Sequence, residues 1–249
     1  MEPSPDQWNF FDKIYCISID TRVDRRTEAK KQFTDVGLLA RVEFVLVKKH
    51  PENQEKGIFQ SHIHCLQKGV EAGASHILLF EDDILFQDFN GQKLQAATTF
   101  LQTLPAWNGF FLGALTTGIA KTTEQSVVKI KYRCLAHAYA LNRPFARRII
   151  QEEWSGIPFD DLLRRHDKDF FALSPMPAFQ SLASTDNQTI RIDRMRRFFG
   201  GLPFIQKMNE QFQRHKSLIV WLHLLLFFIL TLFIIKGYLD SFVKSDQVP

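Results

Sequence analysis

Short apolar runs alternate with charged, helix-prone stretches over most of the chain. Residues 14–19 (IYCISI), 42–47 (VEFVLV), 76–80 (HILLF) and 109–115 (GFFLGAL) are brief and rich in β-branched or aromatic side chains, the signature of buried strands. Residues 21–33 are charged and end near Gly37, and are expected to be helical. Residues 61–72 place Ile63, Leu66 and Val70 at helical spacing, with Ser61 expected at the N-cap, His62 in the first turn and Gly73 as the stop. Residues 127–132 are expected to pair antiparallel with residues 136–141, and residues 142–153 to form a further helix. Strands alternating with helices predict an α/β domain with a mainly parallel sheet.

The pattern changes near the C-terminal end. Residues 217–235 (SLIVWLHLLLFFILTLFII) carry no charge over 19 positions, and only His223 and Thr231 are notably polar. At ~1.5 Å per residue, this run nearly crosses a hydrocarbon core of ~30 Å, so a transmembrane helix is expected. The division that follows is a catalytic-size domain over residues 1–190, a basic amphipathic connector over 191–216, the span over 217–235 and a short tail over 236–249.

Charge refines this division. The net charge of +4 is concentrated in residues 191–216, where seven basic side chains face two acidic ones, a local balance of +5. The basic stretch runs straight into the apolar segment, which favours a membrane surface over nucleic acid as its partner. Lys236 and Lys244 are balanced by Asp240 and Asp246, so the positive-inside rule predicts that residues 1–216 lie on the cytoplasmic side. Three scattered cysteines without CxxC spacing argue against a disulfide framework or a structural zinc site.

The candidate chemistry begins with Glu81-Asp82-Asp83, directly after the apolar run HILLF. Ligands of open α/β sheets bind outside the carboxyl ends of the strands. Three adjacent carboxylates repel one another unless a cation or hydrogen-bond donors compensate, and Mg²⁺ or Mn²⁺ commonly joins such groups to substrate phosphates. Arg22, Arg25 and Arg26 follow the first strand, and Ser61 and His62 at an expected helix start would offer donors to an anion.

Several of these motifs, in order, resemble glycosyltransferase family 25, the lipopolysaccharide and collagen sugar-transferase group. They are Ile17-Ser18-Ile19 followed by Arg22 to Arg26, then Gly57 with Ser61-His62, Glu81-Asp82-Asp83, and Ala138-Tyr139-Ala140-Leu141. Pro158-Phe159-Asp160 follows, and last Pro175 to Gln180 with Ser184 to Asp186. The likeness runs from about residue 13 to 190; it departs at Ser18 and Ile58, where the family has Asn and Cys. The resemblance implies a GT-A nucleotide-diphosphosugar transferase fold and a UDP-sugar donor contacted by Arg22, Arg25, Ser61 and His62. It further implies Mn²⁺ or Mg²⁺ at Glu81, Asp82 and Asp83, and a glycan or glycolipid acceptor. The base that deprotonates the acceptor is then sought among Asp160, Asp161 and Asp186, with Asp160 and Asp186 the principal candidates. The rival reading is a membrane-tethered binding module of the same fold without catalysis.

Overall fold

The computed structural model of the protein describes residues 5–181 and 201–245. Contacts divide the chain into two compact units, with the boundary between Glu210 and Gln211. The first unit is built on a six-stranded sheet: β1 (Lys13–Ile19), β2 (Val42–Val47), β3 (His76–Glu81), β5 (Gly109–Lys121), β6 (Val127–Asn142) and β7 (Phe170–Leu173). Their spatial order is β2-β1-β3-β6-β5-β7. β1 pairs parallel with both β2 and β3, and β5 parallel with β7, while β6 runs antiparallel to its neighbours. Five of the six strands therefore point one way, and the mainly parallel α/β sheet expected from the alternation is present. Two short strands, β4 (Ile84–Phe86) and β8 (Ala178–Gln180), pair beside it.

Both faces of the sheet are covered, which is why the strands read as continuous apolar runs. One face buries Tyr15, Ile77, Leu79, Phe111 and Tyr139 beneath α2 (Gln54–Glu71), α4 (Arg143–Ile149) and α5 (Phe159–Arg165). The other buries Ile14, Cys16, Leu78, Phe80 and Phe110 against Trp8, Phe33 and Leu94, under α1 (Val23–Asp35) and α3 (Gly91–Thr103). Alternate residues of β1 and β3 thus enter opposite cores, as a period of two requires.

Three expectations are corrected. Helix α2 begins at Gln54, capped by Asn53, whose side chain accepts from Lys56 N–H. Ser61 and His62 therefore lie two turns inside the helix and not at its start. The pair 127–132 and 136–141 is one continuous strand, β6, because both halves find partners in β3, β5 and β7. The helix expected over 142–153 stops at Ile149.

Where a hairpin was expected, β6 carries a bulge. Gly113 and Leu115 of β5 stand opposite Ala138 and Cys134 of β6, so β6 has two more residues than β5 between these pairings. The excess leaves the ladder and brings residues 135 and 136 to the wall of a cavity, the usual effect of a bulge beside a site. Gly113 sits at this irregularity under a steric demand: a Cβ there would lie 2.1 Å from the Ala178 carbonyl oxygen and 2.6 Å from His137 Nε2.

The last helix, α6 (Gly201–Ser245), starts inside the stretch expected as a connector. Its first turns belong to the first unit and are bonded to it. Gln206 Nε2 donates to the Ala178 carbonyl at 2.7 Å, Asn209 exchanges hydrogen bonds with the Thr116 backbone, and Glu210 accepts from Met176 N–H at 3.2 Å. From Gly201 to Gly237 the helix is long and apolar enough to cross a membrane, and its most apolar window is wholly unburied. It contains the 19-residue run expected as a span.

Candidate functional site at the carboxyl ends of the strands

A cavity of about 440 Å³ opens where β1, β2 and β3 end. Ser18 and Ile19 come from β1, Val47 to His50 from the end of β2, and Glu81, Asp82 and Asp83 from the end of β3. The opposite wall is the β6 bulge with Pro158, Phe159 and Asp160. Right-sized clefts at this position of an α/β sheet are where ligands bind.

The acidic triplet is held from several directions. Asp82 is buried; its Oδ2 accepts from Ser18 Oγ at 2.6 Å and its Oδ1 from Arg25 Nη1 at 3.3 Å. The same guanidinium lies 3.8 Å from Asp83 Oδ2. Arg25 is thus an internal counter-ion to the cluster. Arg26 donates to the carbonyls of Ile19 at 2.7 Å and Asp20 at 2.9 Å and so fixes the end of β1. Asp83 Oδ1 is buried and has no hydrogen-bond partner among the described residues. Burial, then the neighbouring Glu81 charge, push the Asp83 carboxyl up to about 7.

Glu81 is positioned by a chain of side chains. His62 Nδ1 lies 2.9 Å from the Tyr139 hydroxyl, and His62 Nε2 lies 3.3 Å from Glu81 Oε1. Gln180 Nε2 donates to Glu81 Oε2 at 3.2 Å. Phe159 stacks on the imidazole at 4.3 Å between centroids and 9° between planes. Burial lowers His62 to about 4, so the ring is neutral at pH 7 and links the Tyr139 hydroxyl to Glu81 through one N–H and one bare nitrogen. Burial, followed by Asp160 and Asp82, raises Glu81 to about 8.

Asp160 serves the bulge. Its carboxylate accepts from Leu135 N–H at 3.1 Å, from Ala136 N–H at 2.9 Å and from the Tyr132 hydroxyl. These are the amides that the bulge removes from the ladder, and buried amides need partners. Leu135 has a φ of 78°, a left-handed conformation that is unusual for a leucine, and it lines the cavity.

The other residues singled out in the sequence are placed as follows. Arg22 pairs with Asp24 through a 2.8 Å contact and is not among the residues lining the cavity. Ser61 lines the cavity while its hydroxyl donates to the Gly57 carbonyl at 2.7 Å. Asp161 pairs with Arg164 at 3.0 Å, away from the lining. Asp186 lies outside the described residues. The cavity therefore gathers Arg25, Ser61, His62, Glu81, Asp82, Asp83 and Asp160, and omits Arg22.

Sequence reasoning passed over Lys48, Lys49 and His50. They directly follow the second strand, and the rule that singled out residues 22–26 and 81–83 applies equally to them. Gln180 and Tyr139 lay inside quoted motifs without a role. Among the described residues no group of three His, Cys, Asp or Glu side chains is arranged to hold a metal ion by itself.

No family model matches the chain, and no curated protein matches it. Among solved structures it is similar to A197 from STIV, with 14% identity, a TM-score of 0.41, and coverage of 67% of this chain and 83% of that one. It is also similar to the mannose-1-phosphate geranyltransferase from Thermus thermophilus, with 8% identity, a TM-score of 0.39, and coverage of 70% and 74%. A glycosyltransferase involved in the glycosylation of the major capsid of PBCV-1 is similar at 12% identity with a TM-score of 0.34, over 66% of this chain and 93% of that chain.

Proposed function

We propose that the protein is a glycosyltransferase that takes a hexose, galactose-like in the family 25 reading, from a UDP-sugar and passes it to a membrane-associated glycan such as a lipopolysaccharide. The observation that carries this reading is Asp83 Oδ1, a buried carboxylate oxygen without a donor among the described residues, in a cavity at the carboxyl ends of parallel strands.

The residues fit a divalent cation that is completed by substrate. Both oxygens of Glu81 and both of Asp82 already lie within hydrogen-bond distance of a protein partner, while among the described residues Asp83 keeps one oxygen open. Mg²⁺ and Mn²⁺ are commonly bound by one or two carboxylates together with substrate phosphates, which matches a site with one open protein oxygen. Asp83 would then hold the ion, with Glu81 and Asp82 around it, and the ion would offset the charge that grows on the leaving nucleoside diphosphate.

The remaining roles belong to the chain itself. Arg25 and Ser18 fix Asp82, so that the cluster keeps its shape when substrate arrives. His62, Tyr139 and Gln180 aim Glu81 into the cavity. Asp160 holds the Leu135 wall, and three donors on its carboxylate make it a positioning group in this reading. Removal of the acceptor hydroxyl's proton is then assigned to Asp186. Helix α6 would anchor the enzyme beside its acceptor, with the large unit on the cytoplasmic side to which the basic flank points by the positive-inside rule.

The decisive assay is nucleotide release from a panel of nucleotide sugars with Mn²⁺, with and without membrane glycolipid. Turnover of a UDP-sugar is expected. Binding of nucleotide sugar without any turnover, across the panel and with acceptor, would favour the non-catalytic module. An impermeant thiol reagent on intact cells should label a cysteine placed at Ser245 and spare one placed at Ser4; the reverse pattern overturns the sidedness.

A further inference from the structure

The cavity poses an electrostatic problem. Glu55, Glu81, Asp82, Asp83 and Asp160 all line it, and a donor diphosphate would add more negative charge. The groups first expected to meet that charge are engaged within the protein. Arg25 contacts Asp82 and Asp83, His62 contacts Tyr139 and Glu81, Ser61 donates to the Gly57 carbonyl, and Arg22 pairs with Asp24.

The β2–α2 loop supplies what those groups do not. Lys48, Lys49 and His50 follow β2 directly, at the same sheet end as the acidic triplet, and line the cavity. The loop is held in place. His50 Nδ1 accepts from the backbone N–H groups of Asn53 at 3.1 Å and Glu52 at 3.3 Å, which assigns the ring hydrogen to Nε2. His50 packs closely on α2 at Gly57, where a Cβ would stand 2.8 Å from His50 Cβ. Neither the Lys48 ammonium nor the His50 Nε2–H has a hydrogen-bond or ion-pair partner among the described residues, and Lys48 is exposed. A pinned loop that presents a cation and an N–H donor to a cavity is suited to an oxyanion.

We infer that Lys48 and His50 bind the phosphate oxygens of the nucleoside diphosphate from the β2 side of the cavity. This rests on the nucleotide-donor reading above and adds a binding element to it. It also gives Gly57 a purpose, because that glycine lets His50 reach its position.

The test is calorimetric binding of UDP, GDP and inorganic pyrophosphate to the full chain in detergent, with EDTA and with Mn²⁺. Lys48→Gln removes the charge. His50→Asn keeps an acceptor near the Nδ1 position and removes the Nε2–H. Each substitution is expected to weaken diphosphate binding about tenfold, the size of one lost charge-assisted hydrogen bond, in EDTA and in Mn²⁺ alike. Uridine binding should be unaffected, and the wild-type affinity should fall with added salt where the Lys48→Gln affinity falls less. Lys31→Gln, on the exposed face of α1 where Lys31 pairs with Glu28, serves as the control. Unchanged diphosphate affinity in both variants, with wild-type binding intact, overturns this inference alone. A wild-type protein that binds none of the three probes overturns the nucleotide reading and this inference together.

Discussion

Leu135 is held at a φ of 78° by Asp160, whose carboxylate accepts the Leu135 N–H at 3.1 Å and the neighbouring Ala136 N–H at 2.9 Å. A left-handed leucine costs ~1–2 kcal/mol relative to its ordinary conformations, and such a conformation persists only where its surroundings impose it. The same pair links the P-F-D motif at the start of α5 to the bulge in β6, which are 25 residues apart in sequence.

Asp160→Asn should therefore destabilise the protein. The amide oxygen can still accept from the Ala136 N–H and the Tyr132 hydroxyl, but the amide nitrogen then faces the Leu135 N–H, and a buried donor without an acceptor costs ~1–3 kcal/mol. Leu135→Gly should cost less in the Asp160→Asn background than in the wild type, because glycine needs no partner to hold a positive φ. Urea denaturation of the four proteins measures the coupling; additive effects would dissolve the proposed link.

Asp83→Asn removes a buried charge that has one unpartnered oxygen, so the fold should be kept. Cation-dependent UDP binding should fall by about 100-fold or more, since even groups supporting a metal ligand cost ~10–100-fold when lost. A variant with normal Mn²⁺-dependent binding would remove Asp83 from the cation site.

The pH dependence of stability follows from opposed shifts. Glu81 and Asp83 are raised to about 8 and about 7 from 4.5 and 3.8, so the folded state keeps protons that the unfolded chain has released. Their stabilising contribution is complete below the unfolded values and is lost as pH rises through the folded ones. His62 and His137, both lowered to about 4 from 6.5 by burial, act in the opposite sense and only below the unfolded value. Between pH 6.5 and 8.5 the two histidines no longer contribute and the raised carboxyls lose theirs, so the melting temperature in EDTA should fall across that window. Saturating Mn²⁺ with UDP should flatten the fall, because an ion replaces the proton. A flat EDTA profile, in which Glu81→Gln/Asp83→Asn changes nothing, would contradict the shifts.

Gly113→Ala should be costly. Its Cβ would lie 2.1 Å from a backbone carbonyl oxygen, which cannot rotate away, so ~1–3 kcal/mol of overpacking strain is expected. Because Ala178 lies on β8 with Gln180, the displacement should also loosen the support of Glu81 and lower turnover. Thermal melts and initial rates check both effects.

Removing everything after Arg214 should leave a soluble, folded first unit, since it keeps Gln206, Asn209 and Glu210, through which α6 is hydrogen-bonded to the rest of that unit. Ending the chain after Gly200 removes those contacts and should lower the melting temperature measurably. Equal stability of the two truncations would show that the first turns of α6 are dispensable.

Period and hydropathy determined a good deal on their own. The strands at 14–19, 42–47 and 76–80 are present within a residue at each end, and 14–19 and 76–80 read as apolar throughout because central parallel strands are covered on both faces. The uncharged run at 217–235 lies within one helix for the same reason that it stood out, since nothing polar interrupts it. The acidic triplet was legible because it directly follows such a strand. What the tertiary structure alone decided concerns relations between distant segments. Ser61-His62 read as a helix start, yet Asn53 is a better cap, and His62 gains its role only from Tyr139, 77 positions later, and Glu81. Residues 132–136 read as a turn, but a bulge satisfied by Asp160 keeps β6 unbroken. Arg25 read as an anion ligand, and only the fold brings its guanidinium against Asp82 and Asp83. Local pattern reports which residues are buried and with what period. Which charge meets which is settled by Coulombic attraction and hydrogen bonding between segments that only the fold brings together.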